Sequence, residues 1–107
     1  NSQILPYDYH LQADIELVFR EMAEQVAIRL RRKKKKTQLV SIHASYSKIE
    51  GLPSIHCQQK IEPTQSTKVL SDTVLRLFRS KYEGGAIRQI GVFYGELVEE
   101  SLQLFSL

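Results

Sequence analysis

Lys60-Ile61-Glu62-Pro63-Thr64-Gln65-Ser66-Thr67-Lys68 is the point at which one kind of periodicity gives way to another. Upstream of it, Ile55, Cys57, Gln59 and Ile61 alternate with Ser54, His56, Gln58 and Lys60. That two-residue period describes a strand with one face against a core. Gln59 interrupts the inner face, and its amide needs a partner if it is buried. Downstream, Leu70, Val74, Leu75, Leu77 and Phe78 recur at helical spacing, predicting a helix to about Tyr82. Pro63 has no N–H for a ladder, and Thr64, Ser66 and Thr67 offer hydroxyls suited to capping a helix start. A strand therefore passes directly into a helix, with Gly84-Gly85 as its expected stop.

Working outward, Val40, Ile42, Ala44 and Tyr46 alternate with Ser41, His43, Ser45 and Ser47, predicting a second half-buried strand. Lys48 to Pro53 reads as the turn between the two, with Gly51 at positive φ. A last strand over Ala86 to Tyr94 sets Ile90, Val92 and Tyr94 against Gln89, Gly91 and Phe93. At the other end, Ser2 to Tyr7 is a short strand carrying Pro6, which places it at a sheet edge or ends it there. Leu11, Ile15, Val18, Phe19, Met22, Ala23, Val26, Ala27 and Leu30 form one stripe of a helix from Leu11 to Arg32. Asp8 is its candidate cap. Asp14 and Glu16 lie early and Arg29, Arg31 and Arg32 late, as the helix dipole favours.

The element order is β-α-β-β-α-β, an α+β fold. Both helix stripes must be covered, so two helices pack on one face of a four-stranded, mostly antiparallel sheet. Strand order is not readable from the sequence. Residues 1–95 form the expected domain and 96–107 a tail. With 107 residues the chain supports one core. One cysteine excludes an intramolecular disulfide, and no run reaches the ~20 apolar residues of a membrane span. A cytoplasmic protein without membrane contact is expected. The start at Asn1 suggests an excised or processed piece.

The uncovered sheet face carries the chemistry. Its hydroxyls, imidazoles, amides and lysine suit phosphate oxygens, although antiparallel sheets often present a solvated face to no partner at all. The run Arg31-Arg32-Lys33-Lys34-Lys35-Lys36 reads as a phosphate patch, as a solvated helix end or, at sequence level, as a nuclear address. His43 and His56 should share a side, but a metal needs further ligands and Cys57 points the other way. No carboxylate pair suits acid–base or two-metal work, so no residue is assigned a catalytic role.

The leading strand with Asp8-Tyr9, the long helix, Ser41 to Ser47, the Glu62-Pro63-Thr64 exit and Ile87-Arg88-Gln89-Ile90-Gly91-Val92 follow one another in a specific order. Together they resemble the little-finger domain of Y-family (UmuC/UvrX-type, ImpB–MucB–SamB) lesion-bypass DNA polymerases. The resemblance implies a sheet laid along the major groove of primer–template DNA, helices facing away, tethered to a catalytic core. It implies a DNA-facing set of Ser41, His43, Ser45, Ser54, His56, Gln58, Lys60, Arg88 and Gln89, with Arg32 and Lys33 from the basic run. It also implies that phosphoryl transfer and its magnesium belong to the catalytic core, and that this piece needs no cofactor. Gln89 and Phe93 stand where family members often carry basic residues, so isolated affinity should be weak. Ser101-Leu102-Gln103-Leu104-Phe105 resembles the Q-L-x-L-F peptide that docks on the sliding clamp, with Ser in the first position. Leu102, Leu104 and Phe105 would be its apolar anchors. The rival readings are a ferredoxin-like RNA-binding module and a protein-interaction domain. The first lacks the aromatic run such modules use to stack bases. Oligomeric state is not readable.

Overall fold

A computed structural model of the chain describes residues 1–100. The elements are β1 (Ser2–Tyr9), α1 (Gln12–Arg32), β2 (Lys35–Tyr46), a 3₁₀ turn (Lys48–Glu50), β3 (Ile55–Thr64), α2 (Thr67–Lys81), β4 (Ile87–Gly95) and β5 (Val98–Glu99). Their order in the sheet is β1-β4-β2-β3, with β5 pairing the start of β2. All ladders are antiparallel. The strand that carries Pro6 is indeed an edge.

Both helices cover the same face, α1 over β2 and β4 and α2 over β2 and β3. Val40, Ile42 and Ala44 of β2 and Ile90 and Val92 of β4 are buried there against Phe19 and Phe78. The two phenyl rings meet at a centroid distance of 4.9 Å, in the range where tilted aromatic pairs attract. Gln59 finds its partner: its Oε1 accepts from the Arg76 guanidinium at 2.9 Å. Tyr94 reaches across the core so that its hydroxyl donates to the Ala23 carbonyl at 3.0 Å.

Several boundaries differ from those expected, each for a local reason. Asp8 does not cap α1. Leu11 occupies that position without a side-chain bond, and its carbonyl accepts from Asp14 and Ile15 N–H. Asp8 instead lies 3.5 Å from Arg88. The basic run is not one helical tail. α1 closes at Arg32, Lys34 turns the chain at φ 54°, and Lys35 and Lys36 already belong to β2. Ser47 is buried rather than outward, its N–H donating to the Ala86 carbonyl at 2.8 Å.

The capping of α2 follows expectation, since Ser66 Oγ accepts from Val69 N–H at 3.3 Å. Its end does not. The helix stops at Lys81, before the two glycines, where Tyr82 turns extended and stacks its ring on Phe78 at 4.7 Å. The Tyr82 hydroxyl then donates to the Gly85 carbonyl at 2.7 Å. Gly84 and Gly85, both at φ +105°, serve the return into β4. A Cβ at Gly85 would stand 2.9 Å from the Tyr46 ring.

Candidate nucleic-acid interface

The register of the sheet fixes which side chains share the helix-free face, because directly opposed residues of an antiparallel pair point the same way. Ser41 is opposite both Gln58 and Phe93, and His43 is opposite both His56 and Gly91. Ser45 is opposite Gln89. β1 extends these rows, setting Ser2 against Gly91 and Ile4 against Gln89. Three rows cross the surface: Phe93–Ser41–Gln58, Ser2–Gly91–His43–His56, and Ile4–Gln89–Ser45 with Ser54 beside it. Ser54 precedes β3, and its Oγ lies 3.3 Å from Ser45 Oγ. Lys60 opposes Leu39 at the far end, with 80% of its side chain exposed and only a loose pairing with Glu96 at 3.8 Å.

Arg88 and Gln89 are neighbours in sequence and would face opposite ways in a regular strand. A bulge resolves this. Ser45 pairs Gln89 but Tyr46 pairs Ile87, so β4 spends an extra residue at Arg88. Arg88 and Gln89 consequently line one groove with Ile4, Asp8, Ser45 and Lys48. The Arg88 Nε donates to the Leu5 carbonyl at 2.9 Å, which anchors the guanidinium against β1.

In the middle row the imidazoles of His43 and His56 are 4.6 Å apart, centroid to centroid. His43 Nε2 is 3.0 Å from Ser45 Oγ. Burial, and to a lesser degree His56, holds the His43 pKa below the usual imidazole value. Cys57 is on the other face, packed against the core. No group of three or more metal-ligating side chains occurs among the described residues.

Phe93 is 44% exposed, and its ring folds back over Gly91, where a Cβ would come within 2.8 Å of it. Glycine there lets the ring lie down on the sheet. Phe93, Ser2 and Ile4 were not among the site residues expected from sequence. The outward phase of Phe93 was legible, whereas the β1 residues could be placed only once β1 was known to flank β4.

The basic run is divided between surfaces. Lys33 lines a cleft with Val92, Phe93 and Leu97, next to the open face. Arg32 lines a different one, with Gln25, Ile28 and Arg29 of α1. Arg31 stays exposed and ties α1 to the start of α2, donating to the Gln65 carbonyl and Thr67 Oγ1, each at 2.9 Å. Leu102, Leu104 and Phe105 lie outside the described residues.

The model of the impB/mucB/samB family C-terminal domain matches residues 1–106. The chain belongs to this family. UvrX of Bacillus subtilis (strain 168), named for UV-damage repair, is 33% identical over 107 residues, 99% of this chain and 26% of its own length. DNA polymerase IV 2 of the same organism is 30% identical over 109 residues, again covering 26% of that protein. The chain therefore spans about a quarter of the length of the curated relatives it matches. Among solved structures, the little finger domain of PolIV in complex with the beta-clamp processivity factor superposes with a TM-score of 0.65 at 11% identity. That match covers 88% of this chain and 83% of the other. Dbh DNA polymerase in an insertion ternary complex gives a TM-score of 0.60 at 16% identity, over 92% of this chain and 28% of that one. Its fold is that of the PolIV little finger, matched over most of both chains.

Proposed function

We propose that this little-finger domain binds the primer–template duplex of a lesion-bypass polymerase through its helix-free sheet face. One observation carries the reading: in a member of this family, four strands present a polar surface that neither helix covers. Ser41, Ser45, Ser54 and Gln58 offer neutral donors to phosphate oxygens, with Lys60, Arg88 and Lys33 as cations around them. Such contacts position a duplex without reading its sequence, which suits a protein that must sit on any template. The domain contributes affinity and orientation. Phosphoryl transfer and its magnesium fall to a catalytic core outside this chain, in a cytoplasmic enzyme. Leu102, Leu104 and Phe105 form a second contact, to a sliding clamp. The solved clamp complex of a PolIV little finger supports that partner.

A primer–template titration tests the main reading. Lys60→Glu with Arg88→Gln should weaken binding at least about tenfold, since each lost phosphate contact also lowers the log–log salt slope by roughly 0.9. Lys68→Glu and Arg20→Glu, on exposed helix positions, should leave the affinity unchanged. Equal losses from both pairs would remove the sheet face as the binding surface.

A further inference from the structure

The middle row of the open face has a chemistry that generic phosphate contact does not use. Two imidazoles stand side by side at 4.6 Å, and one of them is joined to a hydroxyl relay. His43 Nε2 is within 3.0 Å of Ser45 Oγ, and Ser45 Oγ within 3.3 Å of Ser54 Oγ. Next to them Gly91 contributes no side chain, and the Phe93 ring lies over it, so an apolar ring borders the imidazole pair on the β4 side.

The charged groups around the pair are few. On β3, Lys60 is two rows away from His56. Lys81 at the end of α2 and Glu83 after it line a groove with His56, Ser54 and Tyr46. On the β1 and β4 side the Asp8–Arg88 pair lies beyond Gln89, Lys48 lines the same groove as Ser45, and the Asn1 ammonium donates to the Val92 carbonyl at 2.9 Å, while β2 adds only Ser41 and Ser45. No carboxylate is bonded to either ring among the described contacts. Two imidazolium ions this close repel by roughly 1 kcal/mol in water and several times that at a partly desolvated surface. Double protonation therefore needs an anion between them.

We propose that His43 and His56, with Ser45 and Ser54, form a protonation-gated seat for one backbone phosphate of the bound duplex. This rests on the DNA-binding reading above and deepens it. A proton from solvent adds to the imidazole pair as the phosphate arrives. The His43 Nε2–H then donates to Ser45 Oγ, which releases the Ser45 O–H to donate outward to a phosphate oxygen. His56, more exposed, contributes the second N–H. No covalent bond forms or breaks, and the proton returns to solvent when the duplex leaves. Burial and the neighbouring ring, which disfavour charge on His43 in the free protein, are what leave it able to accept that proton on binding.

The test is primer–template affinity from pH 8 to pH 5.5 at constant ionic strength. Uptake of half to one proton tightens binding by about three- to tenfold per pH unit through the imidazole range. His43→Gln/His56→Gln should flatten this slope, whatever its affinity at pH 8, and His10→Gln should preserve it. In parallel, the NMR titration of the His43 ring should move upward when the duplex is added. Binding with the same slope in the double variant overturns the proposal and leaves the DNA reading standing, as does an unmoved His43 titration. Absence of binding at every pH overturns both.

Discussion

His43 acts in opposite senses on stability and on binding. Its pKa is lowered in the folded chain, mainly by burial and then by His56. Between the folded value and the ordinary ~6.5 the unfolded chain holds more protons, so stability rises with pH and is lost as pH falls through that window. The urea midpoint should fall on going from pH 7.5 to 5.5, and His43→Gln should reduce the drop. An identical drop in the variant would assign the effect to other groups. Glu16 acts lower on the scale. Its hydrogen bonds from Arg79, at 2.6 and 3.0 Å, hold its carboxyl below the usual range. Its contribution is present above the ordinary carboxylate value and fades as pH falls through the folded one.

At the scale of elements, α2 has the clearest testable start. Ser66→Ala removes the side-chain acceptor for Val69 N–H and should cost about 1 kcal/mol, seen as a lower thermal midpoint with an unchanged fold. An unaltered midpoint would mean that the bonds from Arg31 to Gln65 and Thr67 suffice to hold that turn. Elements of this kind were legible because their cause is local. Alternation in Val40 to Tyr46 and Ile55 to Ile61 assigned inner and outer faces correctly, and the hydroxyls after Pro63 announced the cap. Features set by distant partners were not legible. The bulge that turns Arg88 onto the same groove as Gln89 exists only relative to β2. The end of α2 depends on Tyr82 stacking on Phe78, an interaction with no signature at the glycines. β5 is two residues long, and the Lys35–Glu99 ion pair joins its end to the first residue of β2. No periodicity can appear in so short a piece. Of the candidate site, the Ser, His and Gln rows could be read from sequence, while the flank supplied by Ser2 and Ile4 required the sheet order.

For the whole molecule, that order governs assembly. β4 lies between β1 and β2 although it is the last long strand in the chain. A chain ending at Gly84 should lack cooperative unfolding, because β1 has no other neighbour and the core loses Ile87, Ile90 and Val92. One ending at Gly95 should retain the domain, losing chiefly the two-residue pairing of β5. Circular dichroism melts of both pieces decide this, and a cooperative melt from the shorter one would contradict it. The same topology has a consequence on the ribosome. A nascent chain emerges with its central seam missing, and the oily surface of α1 waits for a strand still in the exit tunnel. Folding can close only once β4 has cleared the tunnel, so holdase chaperones have a defined interval in which to act.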